Sequence, residues 1–164
     1  RHGVDIAQVK KHFATFTGMG RRFQKVGEFD GITIYDDYAH HPTEIKATLS
    51  CAESFKNKRV IAVFQPHRYS RLKNLWGDFL GAFEGVDKVV VTDVYAASEE
   101  PVAGVTGADF AEDLSKKITV PCKHIPGDMK AVAKELFPLL ENGDVVIGLG
   151  AGTITALGLS LIHI

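Results

Sequence analysis

The chain has 164 residues, 45% of them hydrophobic and 24% charged, with a formal net charge of −1. This suits a single domain able to bury an ordinary core, and it gives no bulk electrostatic attraction for nucleic acid or an anionic membrane. No apolar run reaches the roughly 18–20 residues that span a bilayer, and the two cysteines, Cys51 and Cys122, are too far apart for a C-x-x-C pair, so both read as small buried apolar residues of a reducing, cytoplasmic protein.

In chain order, Ile6, Val9, Phe13 and Phe16 repeat at helical spacing and predict a helix over residues 4–16. Thr17-Gly18-Met19-Gly20 reads as a linker. Residues 23–28 and 32–36 predict two short strands joined by Asp30-Gly31, a strong hairpin turn signal. Pro42 to Phe55 is helical, with Pro42 in the favoured first turn and Ile45, Leu49 and Ala52 on one face. Residues 59–64 form an almost wholly apolar strand. Leu72, Leu75, Trp76, Phe79, Leu80 and Phe83 mark the next helix, and residues 88–92 another buried strand. Phe110, Leu114 and Ile118 mark a helix, residues 120–125 a short strand, Met129, Val132, Ala133 and Leu136 a helix, and residues 144–149 the last strand.

Strands alternating with helices imply right-handed crossovers and a parallel sheet, and continuous apolar strands imply cover on both faces. The expected fold is α/β: a three-layer, Rossmann-like domain, mostly parallel, with an antiparallel N-terminal hairpin. In such sheets ligands bind beyond the carboxyl ends of the strands, which directs attention to the loops after residues 36, 64, 92, 125 and 149.

The first of these, Tyr35 to Glu44, packs Asp36, Asp37, Tyr38, His40 and His41 between a strand and a helix N-terminus. Free backbone N–H groups there suit a phosphate or carboxylate, Asp suits sugar hydroxyls, and His and Tyr can orient an anion or relay protons. The bland alternative is a helix cap. A metal site of His40, His41 and His67 is disfavoured, since adjacent histidines point apart and no H-x-x-x-H pair occurs.

In the second loop Arg68 and Arg71 stand three apart at a helix start, placed to clamp a carboxylate or phosphate. Arginine is unfavourable at that positive dipole end, which suggests a bound anion rather than a solvated turn. Arg21-Arg22 beside the linker is either a phosphate contact or ordinary surface. Gly148-Leu149-Gly150-Ala151-Gly152 resembles the start of a dinucleotide loop, but its spacing is G-x-G-x-G, and close packing explains the glycines better. Asp93 to Pro101 is a long loop able to line the same site. No G-x-x-x-x-G-K-[ST] loop and no nucleophile elbow occurs in the sequence.

Together Asp36 to Ile45 (DDYAHHPTEI), Phe64 to Arg71 (FQPHRYSR), Asp93 to Pro101 (DVYAASEEP), GMGRRFQ and GLGAG resemble the carboxy-terminal domain of the Mur ligases, the ATP-dependent amino-acid-adding enzymes of peptidoglycan synthesis. Within that family they are most similar to the branch that joins L-alanine to UDP-N-acetylmuramate. The murein-tripeptide recycling ligase is the alternative from the first motif, and a non-catalytic nucleotide-binding module is the alternative of a different class. Ser98 stands where the family commonly has Gly. The resemblance covers residues 3–156 and stops after Thr155.

The resemblance implies that residues 1–16 are the closing helix of a preceding central ATPase domain, 17–22 a linker and 23–156 the carboxy-terminal domain. Residues 157–164 are a tail with no function assigned and its native origin left open. It also implies a fragment, not active alone, whose phosphate loop and most of whose Mg2+ site lie in domains upstream. By the same resemblance Arg22 reaches the ATP phosphates and Asp36 holds the ribose. Tyr38, His40, Arg68 and Arg71 surround the alanine, with His40 and Arg71 as catalytic residues. The implied partners are ATP, L-alanine, UDP-N-acetylmuramate and the chain's own other domains, with neither nucleic acid nor membrane, in a bacterial cytoplasm.

Overall fold

The computed structural model describes residues 20–52, 54–55 and 57–164, with Ile6, Gln8 and Lys10 as isolated helical positions. The remainder of the helix expected over residues 4–16, and Thr17 to Met19 of the linker, lie outside the described residues. The strands are β1 (Gln24–Phe29), β2 (Ile32–Asp37), β3 (Val60–Phe64), β4 (Lys88–Val91), β5 (Cys122–His124) and β6 (Val145–Leu149). The helices are α1 (Pro42–Ala52), α2 (Tyr69–Asn74), α3 (Trp76–Leu80), α4 (Gly107–Lys117), α5 (Met129–Leu136) and α6 (Leu157–Ile162). The strands form one sheet in the order β1-β2-β6-β3-β4-β5. Only β1 is antiparallel, and it turns into β2 through Asp30 and Gly31, both left-handed at φ 45° and 74°.

Alternate residues of each central strand face opposite layers. Ala62, Phe64, Val89, Val91, Val145 and Ile147 pack under α1 to α4, with Ile45, Leu49, Phe79, Phe110 and Leu114. Ile61, Val63, Val90 and Val146 pack under α5 and α6, with Val132, Leu136, Leu157 and Leu161. The expected three layers are therefore present, and the tail from Leu157 onward forms a helix seated on the second core.

The expected helix across 72–83 is two helices with a break at Leu75, whose φ is −115°. The break turns Trp76 edge-on to Phe110 and lets its indole N–H donate to Asp113 Oδ2 at 3.2 Å. β5 is shorter than expected because Pro121 has no N–H for the ladder; its carbonyl still accepts from Val89 N–H. α1 ends at Ala52, and Phe55 swings onto Tyr35 and Phe23. The cysteines correct an expectation. Cys51 lies exposed on the outer face of α1 and Cys122 is only partly buried. Burial pushes the Cys122 thiol up to about 11, so it stays a thiol at neutral pH.

Strand register sets the site. Asp37 pairs with Leu149, Leu149 with Phe64, Phe64 with Val91, and Val91 with His124. Five strands thus end in one row, and the loops carrying the polar motifs all leave from that rim.

Candidate functional site

Four loops build the rim. Pro66 O accepts from Tyr95 N–H and Tyr95 O accepts from Arg68 N–H, each at 2.8 Å, so the loops after β3 and β4 run as a short parallel ladder. The loop after β6 closes against them. Gly150 adopts φ +148°, and a Cβ there would come within 2.8 Å of the Gln65 carbonyl; one on Gly152 would strike Gln65 and the Tyr95 ring. Buried Gln65 pins this loop, donating from Nε2 to Thr153 Oγ1 and accepting Ile154 N–H at Oε1. The glycines serve close packing, as their spacing suggested.

A chain of rings and guanidinium groups crosses these loops. Arg21 Cζ lies 4.9 Å over the Tyr38 ring. Tyr38 meets His40 edge-on at 5.1 Å, His40 lies 5.8 Å from His67, and His67 stacks on Tyr95 at 5.4 Å. Arg71 Nη1 donates to His67 Nδ1 at 3.0 Å and to the His67 carbonyl at 3.2 Å. His67 Nδ1 must therefore be an unprotonated acceptor, which leaves its Nε2–H as a donor. Burial, then the charges of Arg71, His40 and Arg68, lower the His67 pKa, against a smaller pull from Glu99. His40 Nδ1 donates to Tyr38 O at 2.8 Å, so its neutral form keeps Nε2 free to accept a proton. The rim can thus offer a guanidinium and an N–H to a carboxylate, and an acceptor to an ammonium group.

The two arginines of the second loop are held differently. Arg71 is locked by His67, whereas Arg68 Nη1 lies 3.9 Å from Glu99 Oε1 and is half exposed. Glu99 also accepts Ser70 N–H at 2.9 Å and the Ser70 hydroxyl at 2.6 Å. These Ser70 bonds hold its carboxyl below the usual range. An anion does offset the positive charge at the start of α2, and among the described residues that anion is Glu99. Ala97 and Ser98 reach it through two consecutive left-handed residues, at φ 49° and 70°.

At the other end of the rim, both oxygens of Asp37 are filled by backbone N–H groups of Phe23 and Ala39. Asp36 is buried too, but only its Oδ2 is engaged, by Arg21 Nε and Thr155 Oγ1, each at 3.0 Å. Among the described residues its Oδ1 is buried without a partner. Arg22 is exposed and makes no hydrogen bond among the described residues; its charge acts on Glu44. Burial raises the Glu44 pKa, and the N–H groups of His40 and His41, with the charges of His40 and Arg22, more than offset this. Sequence reasoning singled out Tyr38, His40, Arg68, Arg71, Asp36 and Arg22; it raised Arg21 only beside Arg22, as a phosphate contact or ordinary surface, and Tyr95 and Glu99 only as part of a lining loop, and it missed Gln65. Among the described residues no group of three or more His, Cys, Asp or Glu side chains could hold a metal ion. No helix among them is long and apolar enough to cross a membrane.

The model of the Mur ligase, glutamate ligase domain, matches residues 21–152. The UDP-N-acetylmuramate–L-alanine ligase of Brachyspira hyodysenteriae is 46% identical over 93% of this chain and 32% of its own length. That of Geobacter sulfurreducens is 42% identical over 92% of the chain and 33% of its length. The chain therefore spans about a third of these relatives. Among solved structures, UDP-N-acetylmuramate–alanine ligase from Thermotoga maritima superposes with a TM-score of 0.77 at 29% identity, over 98% of this chain and 33% of that one. A murein peptide ligase from Psychrobacter arcticus shares the fold, with a TM-score of 0.67 at 19% identity, over 98% of this chain and 33% of its own.

Proposed function

Since the chain belongs to the Mur ligase family and carries its glutamate ligase domain, we propose that it is the amino-acid- and ATP-binding part of a ligase that joins L-alanine to UDP-N-acetylmuramate. ATP is hydrolysed to ADP and phosphate, in the peptidoglycan synthesis of a bacterial cytoplasm. What supports alanine is the continuous cluster Tyr38–His40–His67–Arg71, which offers opposite charges of a zwitterion their partners side by side. The identities with alanine-adding relatives support the same choice over the recycling ligase.

In this reading the muramate carboxylate takes the γ-phosphoryl group of ATP, the alanine amine attacks the acyl phosphate, and phosphate leaves. Arg71, joined by Arg68 when it leaves Glu99, holds the alanine carboxylate. His40 accepts a proton from the ammonium group through Nε2, and Tyr38 orients the His40 ring. Such chemistry depends mainly on positioning and charge neutralisation. Asp36 Oδ1, buried and unpartnered, fits a ribose hydroxyl donor. Exposed Arg22 reaches the phosphates once the other domains close on the rim. The Mg2+ that accompanies ATP finds no ligand set among the described residues and would be held by the central domain.

In the full-length ligase, Arg71→Ala should raise the alanine KM and lower turnover, through a charge-assisted contact worth about 1.5–3 kcal/mol. Unchanged alanine kinetics would remove Arg71 from the site. Asp36→Ala should weaken ATP more than alanine, and the reverse order would refute the nucleotide assignment.

A further inference from the structure

We infer that Arg21 is a positioning residue that couples the nucleotide side of the rim to the amino-acid side, so that loss of Asp36 reaches the alanine cluster through it. The inference rests on the proposed function and deepens it.

Arg21 touches the Asp36 carboxylate, the loop after β6 and the Tyr38 ring. Nε donates to Asp36 Oδ2, Nη2 donates to the Gly150 carbonyl at 2.7 Å, and the guanidinium covers the Tyr38 ring. Its carbonyl accepts Tyr38 N–H at 2.8 Å and its N–H donates to Gln24 Oε1 at 2.8 Å. Its φ of 57° is left-handed, a backbone state that persists in a non-glycine residue only where the surroundings impose it. A planar fork with two arms and a flat face can serve a carboxylate, a carbonyl and an aromatic ring together, and an ammonium cannot.

Asp36 forms the other end of this connection. Its Oδ1 has no partner among the described residues, while Arg21 and Thr155 share Oδ2. A hydroxyl bound at Oδ1 fixes the carboxylate plane, and with it the Arg21 fork. The fork fixes the Tyr38 ring, whose edge-on contact sets His40. Each step is a direct contact, and together they run from the nucleotide carboxylate to the imidazole that faces the amine. A double-mutant cycle measures this coupling directly.

The test uses the full-length ligase with Arg21→Lys, Asp36→Asn and the double variant, measuring the KM for alanine, the KM for ATP and kcat. Asp36→Asn should raise the ATP KM about tenfold and the alanine KM about threefold. Arg21→Lys should raise the alanine KM about as much as Asp36→Asn does. In the Arg21→Lys background Asp36→Asn should change the alanine KM by less than twofold, while its effect on ATP persists. Independent, multiplicative effects on the alanine KM would overturn the inference, as would an Arg21→Lys variant with an unchanged alanine KM. A merely structural role would lower kcat and thermal midpoint without this non-additivity. Should Arg21→Lys fold too poorly to assay, Arg21→Gln, which keeps an amide donor for Gly150, carries the same cycle. A wild-type enzyme with no alanine-dependent ADP release would defeat the proposed function itself, whereas an active wild type with additive variants defeats only the coupling.

Discussion

Two arginine–aspartate pairs sit at opposite rims of the same sheet. At the amino ends of the strands, Arg59 grips Asp144 with Nε on Oδ1 at 2.9 Å and Nη2 on Oδ2 at 2.7 Å. Oδ2 also accepts Glu141 N–H, and Arg59 reaches Glu141 and the Leu139 carbonyl. Both Asp144 oxygens are filled, and the pairing makes Arg59 hold its proton still more firmly. At the carboxyl ends, Arg21 meets Asp36 through one oxygen only, and the other is buried without a partner among the described residues. An orphaned buried acceptor costs about 1–3 kcal/mol. The backbone repeats the contrast. Of the non-glycine residues at positive φ, Arg21, Phe23, Arg68, Ala97 and Ser98 cluster around the carboxyl rim, while Asp30 and Asn57 lie in turns elsewhere. The saturated pair ties the fold together, and under the proposed function the open pair is the one that would meet a ligand.

The sharpest way to break this comparison is to cut the closed pair. Arg59→Ala leaves Asp144 buried without its cation, and stability in urea should fall by about 3 kcal/mol. Asp36→Asn should cost less than about 1 kcal/mol, because its second oxygen has no bond to lose. Equal losses in the two variants would erase the distinction between a structural and a functional pair.

Much of the fold could be read from the chain. Runs such as VIAVF and VVIGL have one interpretation once they recur between amphipathic helices, and Asp30-Gly31 fixes the hairpin. The residues that escaped are those decided by distant partners or by backbone conformation. Nothing in Arg21-Arg22 says which side chain turns inward; the left-handed backbone at Arg21 sends that one to Asp36 and leaves Arg22 exposed. The two arginines beside α2 signalled an anion, but Glu99 lies 29 residues from Ser70 and no local pattern links them. Gln65 reads as an ordinary loop amide until its partners 88 and 89 residues away fold against it. Cys51 misleads because cysteine is usually buried, whereas its position on α1 faces outward.

A smaller effect sharpens the strain half of the comparison. Ser98 adopts φ 70° to deliver Glu99 to α2, and glycine reaches that region without steric penalty. Ser98→Gly should stabilise the protein by about 0.5 kcal/mol, since relief of strain outweighs the extra freedom of the unfolded chain. A lower thermal midpoint would mean that the turn at 97–98 is not under strain.

The least perturbing probe is pH, acting through His67. Its pKa lies below the ordinary imidazole value of 6.5, chiefly through burial, then through Arg71, His40 and Arg68, with Glu99 opposing. As pH falls through about 6.5, the unfolded chain takes up a proton that folded His67 still refuses. Stability therefore drops in the window between 6.5 and the lower folded value, and is fully present above it. Protonation also removes the acceptor that holds Arg71 Nη1, so the alanine KM should stay flat through pH 6.5 and climb only as pH falls toward the lower folded value. His67→Gln supplies an acceptor that cannot be protonated and should flatten this limb of the profile. If the variant keeps the wild-type acid limb, a group other than His67 governs it, and Arg71 does not depend on a neutral imidazole.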